Sequence, residues 1–543
     1  MTIIAMLAVA LSMGALSAAA EDRPPPGAKI ASDGQRDVSA EWPPPDRLLQ
    51  WNPGVQGGIP SVPVTVKLAP KDLPGDGKTS VSAALQRAID GAKTPGAVLL
   101  PAGTFLLDKQ VNLKSGVVLR GAGLDKTLLV VRGGGLQARG GKDSREVAIT
   151  AGAKLGSRQL SLAAAEGFQA GQLVCVCSDN DPELMYTKPD WNVRWGDNSM
   201  GQIVRLAKVA GSTVTLDEPL RLEYKASLKP RLRKLTPVNG IGIEDLHVRR
   251  DDRTDGAIIA FLQADNCWMR DCETELGMSY HIQISCSRHV TVENCYIHHA
   301  HDQGGGGHGY GVEVDTCSSD CLVQNNLFHT LRHAMIIQKG ANGCVFAYNY
   351  SFDTAGSNDS SKDWFHSNDI SIHGHYPYAT LYEGNVVQRI GVGDFWGPAG
   401  PRVTLFRNRI AAPEKAHDLE HYSKLGIRRM QMAIYVKDHT HGTNVIGNTL
   451  TDDASLVVED TCRNTLVEGN LVKGKVQWNQ TKPVGLPASL FLKAKPSYWG
   501  NKPWPCIGAD VDAGVLNSLP AQDWHARIKQ IGHAVPFSSA GAQ

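Results

Sequence analysis

Acid, base and cation side chains recur at one place in a repeating pattern through the middle of this 543-residue chain. In the segment GVEVDTCS, Val312 and Val314 take the inward positions of an alternating strand, so Glu313 and Asp315 face outward. The same register turns out Gln283 and Ser285, Ile336 and Gln338, Ser371 and His373, Tyr435 and Lys437, and Val457 and Glu459. One outward stripe therefore reads Ser285, Asp315, Gln338, His373, Lys437, Glu459 along neighbouring repeats. Three long inserts fall just before this strand, at residues 301–311, 355–369 and 414–430. They bring His301, Asp302, His308, Tyr310, Trp364 and His366 to the rim of the stripe, and Arg332, His333, Asp394, Trp396 and Arg402 reach the same region. Long loops on a rigid scaffold are where binding and catalysis concentrate.

Two chemistries suit a groove of this kind. β-Elimination in a uronate polysaccharide needs a neutralised sugar carboxylate, a base for the C5 proton and a donor to the leaving oxygen. Arg332 or Arg402 would neutralise, His373, Lys437 or His333 would act as base, and Tyr310 or His308 would donate. Gln338, His366 and Trp396 would line the substrate, and Ca²⁺ held by Asp302, Asp315 or Asp394 could replace an arginine. Hydrolysis needs two carboxyl groups astride the bond; Glu313 and Asp315, about 7 Å apart by strand rise, fit an inverting pair. Plainer roles compete: Arg332 as an ion pair to Glu313 or Asp315, Lys339 and Asp369 as solvated turn residues, and GGGGHGYG as a lid or a tight passage. The pair His373 and His375 lacks a third spaced ligand for zinc.

These residues need a scaffold, and the spacing supplies one. Cys272, Cys295, Asn326, Asn349, Asn385, Asn408, Asn448 and Asn470 align in one column, with steps of 23, 31, 23, 36, 23, 40 and 22 residues. A base period near 23 with the excess in one place is the mark of a solenoid. Alternation with period 2 and richness in Val, Ile, Tyr and Thr exclude helical repeats and fit one coil of a parallel β-helix, three short strands and three turns. The Asn column is then a turn between the second and third strands. Cys272 stacks on Cys295, Cys286 on Cys317 and Cys321 on Cys344; they read as small buried hydrophobes, with disulfides as the alternative in an exported chain.

Residues 1–20 read as a secretory signal, an apolar run followed by small residues, so a secreted or periplasmic protein without stable membrane insertion is expected. Net charge of +1 gives no field for nucleic acid. Residues 21–70 form a Pro-rich segment on the surface of the body, residues 71–148 a cap and first coils, residues 149–225 an inserted β-domain, residues 226–480 the coils with the groove, and residues 481–543 a tail covering the far end. The cap helix has Thr79 or Ser80 as its capping signal and an apolar face of Val81, Ala84, Leu85, Ala88 and Ile89. Trp191 and Trp195 in the insert read as loop-core aromatics, with a sugar-stacking surface as the other option.

The phrase GDGKT…ALQRAID…GAVLLPAGTFLL…LKSGVVLRGAG resembles the start of right-handed parallel β-helix proteins of the pectate-lyase-like superfamily. The resemblance implies an all-β, right-handed parallel β-helix with an N-terminal capping helix and a small inserted β-domain. That superfamily includes lyases, hydrolases, epimerases and phage adhesins. With the His-, Arg- and Lys-rich edge it tilts the expectation to a secreted polysaccharide lyase. A glycoside hydrolase, a C5-epimerase and a non-catalytic glycan-binding surface protein are the alternatives.

Overall fold

The computed structural model describes residues 43–531 except 187, 189–192, 355, 358–363, 366, 412–431, 452–453, 480–484 and 512–516. The leader, Trp191, His366 and the insert at 414–430 lie outside the described residues.

Short apolar alternating runs stack into parallel sheets. One sheet holds ten strands: Val111–Asn112, Leu136–Arg139, Ala257–Leu262, Tyr280–Ser285, Tyr310–Asp315, His333–Ile337, Ile370–Ile372, Ile390–Val392, Met432–Val436 and Ser455–Val458. This is the floor sheet, built from the first strand of each coil. The second and third strands, such as Leu322–Gln324 and Leu327–His329, pair with their counterparts one coil on. The chain is a right-handed parallel β-helix, as the period implied. Its interior is a continuous apolar core running from Leu85 and Ile89 through Ile284, Val314 and Ile372 to Val445.

The turn between second and third strands explains the asparagine column. The residue before each column position takes a left-handed backbone, with φ of 56° at Asn294, 51° at Asn325, 57° at Tyr348 and 50° at Arg407. The column residue follows, fully buried, and bonds along the stack. Asn326 Nδ2 donates to Asn349 Oδ1 at 3.0 Å, Asn349 to Asn385 at 2.9 Å, Asn385 to Asn408 at 2.9 Å and Asn408 to Asn448 at 3.0 Å. Each side-chain oxygen also accepts a backbone N–H from the preceding coil, as Asn385 Oδ1 does from Asn349 at 3.0 Å. Such ladders satisfy polar groups that burial would otherwise orphan. The stacked cysteines are free thiols, all buried, as are all eleven cysteines but the half-buried Cys462.

The insert closes into a six-stranded barrel of its own, from Gly141–Ala151 to Arg231–Thr236. It is wider at both ends than residues 149–225, because its first and last strands alternate as coil strands do. An ionic joint fixes it to the turns beside the floor sheet. Arg221 pairs with Asp320 and, at 2.5 Å, with Glu218; Arg288 pairs with Asp217 at 2.7 Å, Glu218 at 3.1 Å and Asp320 at 3.1 Å. His289 sits against this joint, whose three carboxylates are already paired with two guanidinium groups.

Other expectations change in detail. The helix Ser82–Gly91 buries Leu85 and Ile89, but Val81 occupies its N-cap without a side-chain bond. Thr79 and Ser80 lie instead in the strand Asp76–Ser80, and Ser82 Oγ donates to Asp108 at 2.9 Å. The N-terminal segment runs along the coils, held by Arg47 on Asn444 at 2.8 Å and Trp51 on the Ala379 carbonyl at 3.1 Å. After Lys475–Trp478 folds back antiparallel on the last coil, the tail returns along the flank: Leu490 N–H donates to Glu383 at 2.8 Å and Trp524 packs on Tyr296. It covers a side of the solenoid, where Tyr348, Phe406 and Ile446 present apolar surface.

Candidate active groove

The floor sheet aligns the expected stripe. Ser285 pairs with Asp315, and the ladder continues through the N–H bonds of Gln338 to Val314, His373 to Ile337, Lys437 to Val392 and Glu459 to Val436. One further coil, with the strand Ile390–Val392, intervenes within the stripe. It places Gly393, with φ of 76°, between His373 and Lys437. A glycine here leaves the floor without a side chain over one coil, about 9–10 Å between flanking residues at a strand spacing of ~4.8 Å. Its absent Cβ would lie 2.5 Å from the Lys437 carbonyl oxygen, so no larger residue fits.

His373 is the centre of this floor. Its Nε2 lies 3.2 Å from Asp394 Oδ2, while among the described residues its Nδ1 has no hydrogen-bond partner. Asp394 is itself fixed: its Oδ1 accepts the N–H groups of Gly374 at 3.0 Å and Trp396 at 2.9 Å. Burial lowers the His373 pKa, Asp394 opposes this, and the cations Arg332, Lys339 and Lys437 lower it further. The imidazole is therefore neutral near pH 7, with an oriented ring and a buried Nδ1 that is unpaired among the described residues, so it holds no proton that a general base would first have to lose.

The carboxylate pair lies deeper. Glu313 is fully buried, accepting from Gln283 at 2.9 Å and Gln338 at 2.5 Å. Burial, and after it Asp315, pushes its pKa up to about 8, so it keeps its proton at neutrality. Asp315 is tied to Lys339 at 2.5 Å. Burial works against the Lys339 charge, but Asp315 outweighs it and the lysine pKa rises.

The groove has aromatic walls. The loop 393–398 offers half-buried Trp396 and exposed Phe395. Facing them is Trp195 from the barrel, 42% exposed, its ring 5.2 Å from Trp396 and 4.1 Å from His375. Gly196 permits this approach, since a Cβ there would sit 2.1 Å from the His375 ring. The Gly196 carbonyl is anchored by Asn180 and Ser199, each at 2.7 Å. Lys188 of the same loop reaches Asp438 at 2.9 Å, which also meets Lys437 at 3.2 Å. Trp195 is thus a wall residue, not loop core.

The remaining candidates divide between rim, underside and elsewhere. Arg332 donates to the Gly304 carbonyl in the first insert and, among the described residues, pairs with no carboxylate. His308 stands at the rim between Asp255 at 3.1 Å and Asp302 at 3.2 Å. Tyr310 and His333 are buried with rings 5.2 Å apart; burial raises Tyr310 to about 12 and, with Arg332, drops His333 to about 3. His333 Nδ1 donates to the Asn368 carbonyl at 2.8 Å, which fixes its ring and leaves its lone pair on Nε2. Arg402 sits on a turn with φ of 63° and donates to the Arg221 carbonyl of the barrel, away from the floor. Asp302, Asp315 and Asp394 each hold separate partners and, among the described residues, do not gather at ligand distance. Lys339 and Asp369 are not solvated turn residues. Lys339 joins the floor, and Asp369 is buried, accepting from Ser351 and Thr354 at 2.6 Å.

Residues 71–157 match the family model described as rhamnogalacturonase A/epimerase, pectate lyase-like. No curated protein sequence matches the chain. Among solved structures it is similar to the tailspike protein gp49 from Pseudomonas phage LKA1 (12% identity, 76% of this chain and 81% of that chain, TM-score 0.47). It is also similar to the Gp54 tailspike of Acinetobacter baumannii bacteriophage AP22, solved with a capsular saccharide (13%, 73% and 77%, TM-score 0.40). A third similar structure is the catalytic unit of a GH87 α-1,3-glucanase from Streptomyces thermodiastaticus (11%, 79% and 71%, TM-score 0.36).

Proposed function

We propose that this parallel β-helix protein of the pectate-lyase-like superfamily cleaves an acidic, uronate-containing polysaccharide by β-elimination, acting outside the cytoplasm. The observation that carries the proposal is the His373–Asp394 pair, its Nδ1 buried and unpaired among the described residues, near Arg332, Lys339 and Lys437 on an aromatic-walled floor. A uronate ring fits over the Gly393 notch, its carboxylate facing the lysines and its apolar face against Trp195 or Trp396. His373 Nδ1 takes the C5 proton, and the cations stabilise the charge that develops on the carboxylate. The C5–H electron pair forms the C4–C5 double bond as the C4–O4 bond breaks. The imidazolium is then the nearest acid for the departing O4. Return of a proton to C5 from the other face would instead give epimerisation by the same first step.

One feature favours hydrolysis: Glu313 retains its proton at neutrality, as a catalytic acid does. Its complete burial and its two amide partners argue for a supporting role.

The test is incubation with a panel of uronate polysaccharides, following ultraviolet absorbance of the unsaturated uronate product. Wild type should generate it, and His373→Ala should lose roughly 10²–10⁴-fold in rate with glycan binding retained. Reducing ends without that absorbance would move the chemistry to hydrolysis. Binding without any product, in wild type and variant alike, would leave a glycan-binding protein.

A further inference from the structure

Asn368 and Asp369 lead into the floor strand Ile370–Ile372, beside the coil that carries Gly391. Gly391 faces the groove, because its neighbours Ile390 and Val392 both lie in the apolar core. A Cβ on Gly391 would lie 2.3 Å from Asn368 Nδ2 and 2.9 Å from its Cγ, so the Asn368 carboxamide lies over that glycine on the groove side of the floor. The backbone that carries it is fixed. The Asn368 carbonyl accepts from His333 Nδ1 at 2.8 Å. Asp369 accepts from the Ser351 and Thr354 hydroxyls at 2.6 Å, and from the N–H groups of Gln388 at 3.1 Å and Arg389 at 2.9 Å. The carboxamide itself is less well served. Asn368 is part-exposed, and its buried Oδ1 has no hydrogen-bond partner among the described residues. A buried oxygen left unpaired costs stability, and a firmly mounted amide in that state is suited to a partner that arrives from outside.

We propose that Asn368 reads the hydroxyl edge of the uronate seated in the cleavage position. The inference rests on the placement of that ring over the Gly393 notch. Gly391 and Gly393 are alternate residues of one coil, about 7 Å apart by strand rise. Gly393 adjoins the His373 coil, its N–H donating to the Ile372 carbonyl at 3.0 Å. A ring lying across this glycine strip therefore has the imidazole at one edge and the Asn368 carboxamide at the other. With C5 at His373, the far edge of a pyranose carries the C2 and C3 hydroxyls. A carboxamide offers N–H donors beside a carbonyl acceptor, which matches a vicinal diol whose one hydroxyl donates while the other accepts. The ligand class follows: a uronate with both C2 and C3 hydroxyls free. An ester on either oxygen removes a hydroxyl donor and sets bulk against the amide. Asn368 meets no reacting atom, so its part is specificity and not proton transfer.

The experiment measures binding by calorimetry in the full-length His373→Ala protein, with a uronate polysaccharide and the same polymer acetylated at C2 and C3. The His373→Ala protein should prefer the free polymer by roughly tenfold, the worth of one or two neutral hydrogen bonds. Adding Asn368→Ala should weaken binding of the free polymer by roughly that factor and bring the two polymers to within about twofold of each other. Gly391→Ala keeps the asparagine but puts a methyl group where its Nδ2 lies, so it should reproduce both effects. The two substitutions together should be no worse than either alone. Unchanged affinity with both Asn368→Ala and Gly391→Ala, or a preference for free hydroxyls that survives both, overturns the inference. Binding that responds to Asn368 while wild type makes no unsaturated product removes elimination and keeps this site. Failure of every uronate polymer to bind removes both.

Discussion

Replacing Glu313 with glutamine should stabilise the protein, and by more as pH rises. The carboxyl is fully buried, and burial with Asp315 beside it moves its pKa from 4.5 to about 8. A group whose folded pKa lies above its unfolded value favours the fold fully below the unfolded value; that contribution is lost as pH climbs through the folded one. Against a neutral isostere, each pH unit above 4.5 costs about 1.4 kcal/mol, hence about 3 kcal/mol at pH 7 and about 5 kcal/mol above pH 8. Glutamine preserves the shape, and the amides of Gln283 and Gln338 can turn an oxygen toward its new N–H donors. Urea unfolding of both proteins at about pH 5, 7 and 8.5, with unchanged slopes, reads the difference directly. The stability gap should be small at the lowest pH and widen to its full value at the highest. A gap independent of pH, or a glutamine variant increasingly destabilised at high pH, would mean that Glu313 is ionised in the folded protein. The description of a neutral residue beneath the groove would then fail.

Asp394→Asn keeps an acceptor for Gly374 and Trp396 but removes the charge that holds the His373 pKa up. The acid limb of the pH–rate profile should move to lower pH while turnover falls roughly 10²-fold; an unmoved limb would break the link between the two residues. Trp195→Ala should raise KM by roughly three- to tenfold, the worth of one aromatic contact, and leave kcat unchanged in steady-state kinetics. Asp320→Ala removes the carboxylate shared by the buried guanidinium groups of Arg221 and Arg288 at the barrel joint, leaving Arg221 with Glu218 and Arg288 with Asp217 and Glu218. It should cost about 1–3 kcal/mol in denaturant unfolding. Asn385→Ala removes the acceptor for both Asn349 N–H and Asn349 Nδ2. A loss of about 1–3 kcal/mol is expected in thermal melts, where an unchanged midpoint would show that the column is decorative.

The parts legible in sequence are those fixed by stacking. Equal strand registers forced Asp315, Gln338, His373 and Lys437 onto one face, and a buried turn forced asparagine into one column. The parts that escaped depend on backbone conformations with no periodic trace. Lys339 follows a floor strand and Arg402 precedes the second strand of its coil, both in left-handed turns, with φ of 48° and 63°. One swings back to Asp315 and the other away to the barrel, a difference set by what lies opposite each turn and not by residue type. Gly393 was invisible because Gly391-Val392-Gly393 shows no outward side chain to mark a coil. Trp195 belongs to another unit of the chain, and the contacts of that unit with the coils, among them the ionic joint at Arg221 and Arg288 and the Lys188–Asp438 pair, determine that its loop meets the groove. Asp369 looked exposed because it sits in a long insert, yet that insert crosses buried Ser351 and Thr354 hydroxyls that need an acceptor.

The arrangement of charge is what supports our proposal of elimination over hydrolysis. Hydrolysis by Glu313 and Asp315 asks both carboxyl groups to reach opposite sides of a glycosidic bond. Here Glu313 is sealed between two amides, while Asp315 is bound to Lys339 through Oδ2 and keeps a buried Oδ1 that has no partner among the described residues. Elimination asks for a neutral base amid positive charge. His373 has a buried Nδ1 that is unpaired among the described residues, is held by Asp394 at Nε2 and feels three cations that lower its pKa. An incoming uronate carboxylate would compensate those cations and raise the His373 pKa toward neutrality as the substrate seats. Binding would thus strengthen the base that acts on it. A neutral glycan lacks that charge and would leave the imidazole weak. The rate advantage of uronate over neutral polymers should therefore exceed the difference in their affinities, and equal discrimination in kcat and in binding would refute the coupling.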